Sequence, residues 1–140
     1  MAIGWATVEL DRATSELAGA LDLPRGQEAF RPAPRNTVLG GACRVAAGVL
    51  PDGGSLVVLE PDTEGRLAGS LARLDEGPVA VWFAAHLAEG APEALGEAGF
   101  TVSAEQEGPL GMERLVMSGP TNAAGRYRLL VAPAAGTIRS

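Results

Sequence analysis

The sequence predicts an α+β fold, two tandem βαβββ modules within one chain of 140 residues. Three observations predict it. Short runs of apolar residues alternate with period two or run on unbroken, as strands do. Between them lie segments whose leucines recur at helical spacing. The order of these segments in the first sixty residues then returns in the second half. At 46% hydrophobic and 20% charged, the chain has the material for a core.

The elements follow in order. Residues 3–10 alternate as a strand, with Ala6, Val8 and Leu10 on one face and Trp5, Thr7 and Glu9 on the other. Asp11 is placed to cap a helix through "RATSELAGALDL", where Leu17 and Leu21 form a narrow stripe, and Pro24-Arg25-Gly26 ends it. "QEAFR" reads as a short strand, and "RPAPRN" as a loop, because two prolines cannot join a ladder. "ACRVAAGVLPDGGSLVVLEP" reads as a hairpin turning at Pro51-Asp52-Gly53-Gly54. Asp62 is placed to cap a second helix, with Leu67, Leu71 and Leu74 on its stripe, before Gly77-Pro78 stops it. "VAVWFAAHL" is a strand, "PEALGEAG" a helix, "FTVSAEQ" a strand, "GPLG" a turn, and "ERLVMSG" and "RYRLLVAP" two more strands. The division expected is a first module over 1–61, a linker helix over 62–77 and a second module over 78–140.

An offset of 77 residues pairs Trp5 with Trp82, and also Leu10 with Leu87, Glu16 with Glu93 and Gly19 with Gly96. The identities are few, and the matching order of elements is the firmer sign of a repeat. Both modules also close with a proline directly after an apolar strand, in "VVLEP" and "LLVAP".

Composition excludes several classes of function. The net charge of −6 argues against nucleic acid, which calls for a basic patch. Every basic residue is arginine, which removes Schiff-base lysine chemistry and the Walker phosphate loop, and with the abundant Ala, Gly and Pro points to GC-rich bacterial coding. One cysteine, Cys43, permits no internal disulfide, and its apolar surroundings read as a buried, inert thiol. One histidine excludes a multi-histidine metal site within a chain. The first residues lack the pattern of a signal peptide, and the longest apolar run, Val79 to Ala85, is too short to span a bilayer. A cytoplasmic location is expected.

The phrases "VELDRATSELAGALDLP", "LPDGGSLVVLEP", "LDEGPVAVWFAA" and "EALGEAGFTV" followed by "GPLG", in this order over nearly the whole chain, resemble the vicinal-oxygen-chelate superfamily. It includes glyoxalases, bleomycin-resistance proteins, epimerases of methylmalonyl-CoA type and extradiol dioxygenases. The resemblance implies a curved mixed sheet that encloses a ligand cavity between the modules. It also implies a divalent metal, held by a His on the first strand and a Glu on the last strand of each module. Carried onto this chain, those four places hold Trp5, Trp82, Val57 and Leu129. None has a lone pair suited to a divalent metal, so neither a metal nor another cofactor is expected.

The expected function is therefore a metal-independent small-molecule-binding protein of the glyoxalase or bleomycin-resistance type. Its aromatic or amphipathic ligand would be lined by Trp5, Thr7, Val57, Leu59, Trp82, Ala84, Arg114 and Leu129. The two tryptophans are read equally as cavity wall and as core. The alternative is a lyase, isomerase or epimerase in which Glu9 and His86, also 77 residues apart, transfer protons. A silent assembly domain is a third reading, and a homodimer is compatible with each. No nucleic-acid or membrane partner is expected.

Overall fold

The computed structural model describes residues 1–85, 90–118 and 126–131. Its strands are β1 (Ala2–Ala6), β2 (Arg31–Asn36), β3 (Gly41–Ala46), β4 (Ser55–Pro61), β5 (Gly77–Ala84), β6 (Phe100–Val102), β7 (Gln106–Gly108), β8 (Gly111–Ser118) and β9 (Tyr127–Val131). Helix α1 (Leu10–Ala20) follows β1, α2 (Arg66–Leu74) joins β4 to β5, and α3 (Ala91–Glu97) precedes β6. The strands form one curled mixed sheet in the order β2-β3-β4-β1-β5-β9-β8-β6, with β7 also on β8. Its two halves mirror each other. β1 runs parallel to β4 and β5 parallel to β9, while β1 and β5 meet antiparallel in the middle.

Alternation along the strands creates two cores. The concave face holds Ala2, Ala6, Val57, Leu59, Trp82, Leu115 and Leu129, and α2 lays Leu67 and Leu71 onto it. The convex face of the first half holds Leu56 and Val58, against which α1 sets Ala13 and Ala18. β4 is buried on both faces, which is why its sequence, "SLVVLEP", reads as an unbroken apolar run. Each such leucine or valine contributes about 1.5–3 kcal/mol relative to exposure. α3 buries no residue and packs beside β6.

Three local expectations are corrected. "RPAPRN" is a strand: Arg31, Pro32 and Ala33 pair with Val45, Arg44 and Cys43. β2 is the edge of the sheet, where a proline withholds no N–H that a neighbour needs. The preceding "QEAFR" is not a strand, since Gly26–Ala29 forms a single 3-10 turn. The two aspartates do not cap. Asp11 lies inside the first turn of α1 and pairs with Arg44, while Glu60 Oε1 accepts the Leu10 N–H. Asp62 instead binds Arg35 through both of its oxygens, at 2.8 and 2.6 Å.

One contact brings the two ends of the curl together. The Thr37 N–H, just past β2, donates to the Glu107 carbonyl of β7 at 3.2 Å. Elsewhere Glu76, just before β5, accepts from Thr7 Oγ1 and the Val8 N–H, each at 2.8 Å, and from Arg12. These donors hold its carboxyl down at about 2, the Arg12 guanidinium foremost.

Candidate functional site

Among the described residues the concave core contains one charged side chain. Glu113 lies on β8, on the same side as Leu115, and is fully buried. Its Oε1 accepts the indole N–H of Trp82 on β5 at 2.8 Å. Gly108 closes over it from β7, and a β-carbon there would overlap the Glu113 carboxyl. Asn36, at the end of β2, is also fully buried. Its Oδ1 accepts the Leu39 N–H at 2.8 Å, which fixes the turn into β3 and commits the amide oxygen.

Burial pushes the Glu113 carboxyl up to about 7, against the opposite pull of the Trp82 N–H and the Asn36 amide. The amide favours the charged form without completing a hydrogen bond. Asn36 Nδ2 and Glu113 Oε2 are the two buried side-chain nitrogen or oxygen atoms without a partner among the described residues. A donor and an acceptor are thus left over in one apolar interior. Leaving such atoms unpaired costs about 1–3 kcal/mol each, and a carboxyl that titrates near neutrality can both take and give a proton.

Of the residues expected from the sequence, Val57, Leu59, Trp82 and Leu129 do meet in the concave core. Trp5 does not join them. It is half-buried on the convex side, packed with Ile3 and Leu17 around the core that α1 covers. Gly4, on the next position, faces the Trp82 ring and Ala80. Interior positions on β1 (2, 4 and 6) and on β5 past its bulge (80 and 82) are even, Val79 at the bulge joining the same core, and the odd offset of 77 carries Trp5 on one face onto Trp82 on the other. Thr7 is buried but turned to Glu76 and the start of α1. Ala84 and Glu9 are exposed, and Glu9 sits at the N-cap position of α1. Arg114 lies half-buried, its Nη1 donating to the Ser103 carbonyl at 3.2 Å. His86 lies outside the described residues.

The donor set does not fit the metal that the resemblance implies. On the concave face, β1 offers Ala2, Gly4 and Ala6, β4 offers Val57 and Leu59, β5 offers Val79, Ala80 and Trp82, and β9 offers Tyr127, Leu129 and Val131. Tyr127 carries the one oxygen, and it is bonded to Ser70 Oγ at 3.3 Å. At these inward positions the four strands present neither imidazole nor carboxylate, and Glu60, the one carboxylate on them, is turned to the Leu10 N–H at the start of α1. Among the described residues no three His, Cys, Asp or Glu side chains converge.

Glu113 and Asn36 were not among the residues expected. In "GMERLVMSG" both alternations are apolar, through Leu115 and Met117 or through Val116, so the strand alone does not say whether Glu113 or Arg114 faces inward. Asn36 was hidden in the segment that its prolines disguised as a loop.

No protein-family model matches the chain, and no curated protein sequence matches it. Solved structures do. Methylmalonyl-CoA epimerase from Mycobacterium tuberculosis is 18% identical, with a TM-score of 0.69 over 99% of this chain and 90% of that one. A variant of the Streptomyces coelicolor methylmalonyl-CoA epimerase, in complex with 2-nitronate-propionyl-CoA, is 23% identical, with a TM-score of 0.67 over 96% and 93%. A hypothetical protein from Bacillus halodurans C-125 is 16% identical, with a TM-score of 0.64 over 94% and 91%. The chain has the fold of the vicinal-oxygen-chelate proteins.

Proposed function

We propose that the chain is a small-molecule enzyme of the vicinal-oxygen-chelate fold that moves a proton without a metal, with Glu113 as its acid–base group. The observation that carries this is the buried Glu113 carboxyl, one oxygen bonded to Trp82 and the other unpartnered in the same interior as the unpartnered Asn36 Nδ2. The epimerases that share the fold lend support, because inverting a carbon next to a carbonyl begins with loss of its proton.

In this reading the ionised Glu113 takes a proton from the carbon beside a substrate carbonyl. The C–H bond breaks, an O–H bond forms on Glu113, and the electron pair moves onto the carbonyl oxygen. Asn36 Nδ2–H donates to that oxygen, as fixed donors do for developing oxyanions. The new carboxyl O–H then trades its proton for one from solvent, and delivery of that proton from Glu113 to carbon, with the electron pair returning from oxygen, completes the exchange. Trp82 holds the carboxyl in place and keeps part of its charged character. Glu113 is fully buried, so access requires movement of what covers it, which includes β7, whose Gly108 lies over the carboxyl and whose backbone meets β2 through the Thr37–Glu107 bond.

The test is solvent exchange at carbon. A panel of 2-substituted acyl compounds is incubated with the protein in D2O and EDTA, and loss of the α-proton is followed by NMR. Exchange that persists in EDTA and disappears in Glu113→Gln supports the reading. Exchange indifferent to Glu113, or abolished by EDTA, overturns it. The apolar side chains that share the core with Glu113, Leu59, Leu115 and Leu129 among them, support a second reading, a metal-independent binding protein that uses the same site to hold a ligand. Saturable binding without exchange identifies it.

A further inference from the structure

Resting on that reading of the site, we infer that the group it accepts is uncharged: a neutral carbonyl on a small apolar body, with free carboxylates rejected. Glu113 is the one charged side chain among the buried described residues; the other buried polar ones are Thr7, Thr14, Asn36 and Ser70. No arginine is buried among them. The arginines nearest the neighbouring elements are committed elsewhere: Arg35 to Asp62, Arg44 to Asp11, Arg12 to Glu76 and Arg66 to the Val38 carbonyl. A carboxylate brought to Glu113 would therefore give up its water and meet a second negative charge, with no cation to offset either cost.

A neutral carbonyl fits the atoms left over. Its oxygen accepts from Asn36 Nδ2–H, and an amide N–H or an acidic C–H on the same group can address Glu113 Oε2. The surrounding walls, Leu39, Leu59, Leu115 and Leu129, are apolar and buried. Gly108 and Trp82 press on the carboxyl itself, so the body beside it must be small. The titratable groups sharing this core are Cys43, held neutral by burial, and Tyr127, bonded to Ser70.

The test compares two probes of one shape, isobutyramide and isobutyrate, on the full chain. The readout is the Trp82 indole N–H resonance, assigned with Trp5→Phe and then followed in unaltered protein, so that no interior variant has to fold. At pH 8.5 isobutyramide should shift this resonance saturably, and isobutyrate should bind at least tenfold more weakly. At pH 6, where Glu113 holds its proton and isobutyrate remains ionised, the gap should narrow. Isobutyrate binding as tightly as the amide at pH 8.5, or a gap that is the same at both pH values, overturns the inference and leaves the site standing. If neither probe moves the resonance, the site reading falls and the inference falls with it.

Discussion

The indole N–H of Trp82 and the carboxyl of Glu113 are joined at 2.8 Å across the concave face, from strands that are separated in the sheet by β9. The bond ties the centre of the sheet to its second half, and it holds a carboxylate where the surrounding side chains are otherwise apolar. Replacing the indole by a ring without a donor isolates its contribution. Trp82→Phe should raise the Glu113 pKa further, because the lost N–H favoured the charged form, and should cost about 1–3 kcal/mol for the broken bond. Carboxyl 13C titration and chemical denaturation read the two effects. A pKa that falls contradicts the assignment.

Gly108→Ala tests the packing over the same group. A β-carbon at 108 would occupy the space of the Glu113 carboxyl, so either the strand or the side chain must move. Overpacking of this kind costs about 1–3 kcal/mol. The Trp82 indole resonance should shift even if the fold is kept, and an unshifted resonance would place Gly108 away from the carboxyl.

Stability should peak at mildly acidic pH, with two carboxyls setting opposite slopes. The folded protein holds the Glu113 proton up to about 7, above the usual glutamate range, so stability falls as pH rises from about 4.5 toward 7. Glu76 is held at about 2, so its stabilisation is present above about 4.5 and is lost as pH falls through that window. Denaturation midpoints at a series of pH values should show the decline in the unaltered protein and its absence in Glu113→Gln. An identical profile for the two would contradict the burial of a titrating Glu113.

Cys43 should react slowly with thiol reagents in the folded state. It is buried, and that burial pushes its thiol up to about 12. Labelling at neutral pH should accelerate only with denaturant. Fast labelling of the native chain would mean that the concave core is open around β3.

The sequence carried the order of elements because the signals for them are local: hairpin glycines, leucine stripes and the closing prolines. It failed where a tertiary fact decides. Pro32 and Pro34 argue against a strand only if that strand is internal, and β2 is an edge. The tryptophan pair suggested a shared pocket, but an odd offset exchanges the faces of a strand, and the bulge between Gly4 and Trp5 against β5 is invisible in one-dimensional alternation. Val57, Leu59, Trp82 and Leu129, expected to line a ligand, share one buried core, as strands apolar on that face allow. Glu113 was not, because its strand offers two equally apolar registers and only the pairing of Glu113 with Val131 selects one.

The most direct measurement of the central claim is the pH dependence of α-proton exchange for a substrate found in the EDTA screen. Exchange needs the ionised carboxyl, so its rate should rise with pH through a midpoint near 7 and level off above it. In Glu113→Gln the rate should drop to that of the uncatalysed reaction at every pH. A rate that ignores pH across this range, or that survives the substitution, would contradict Glu113 as the group that carries the proton.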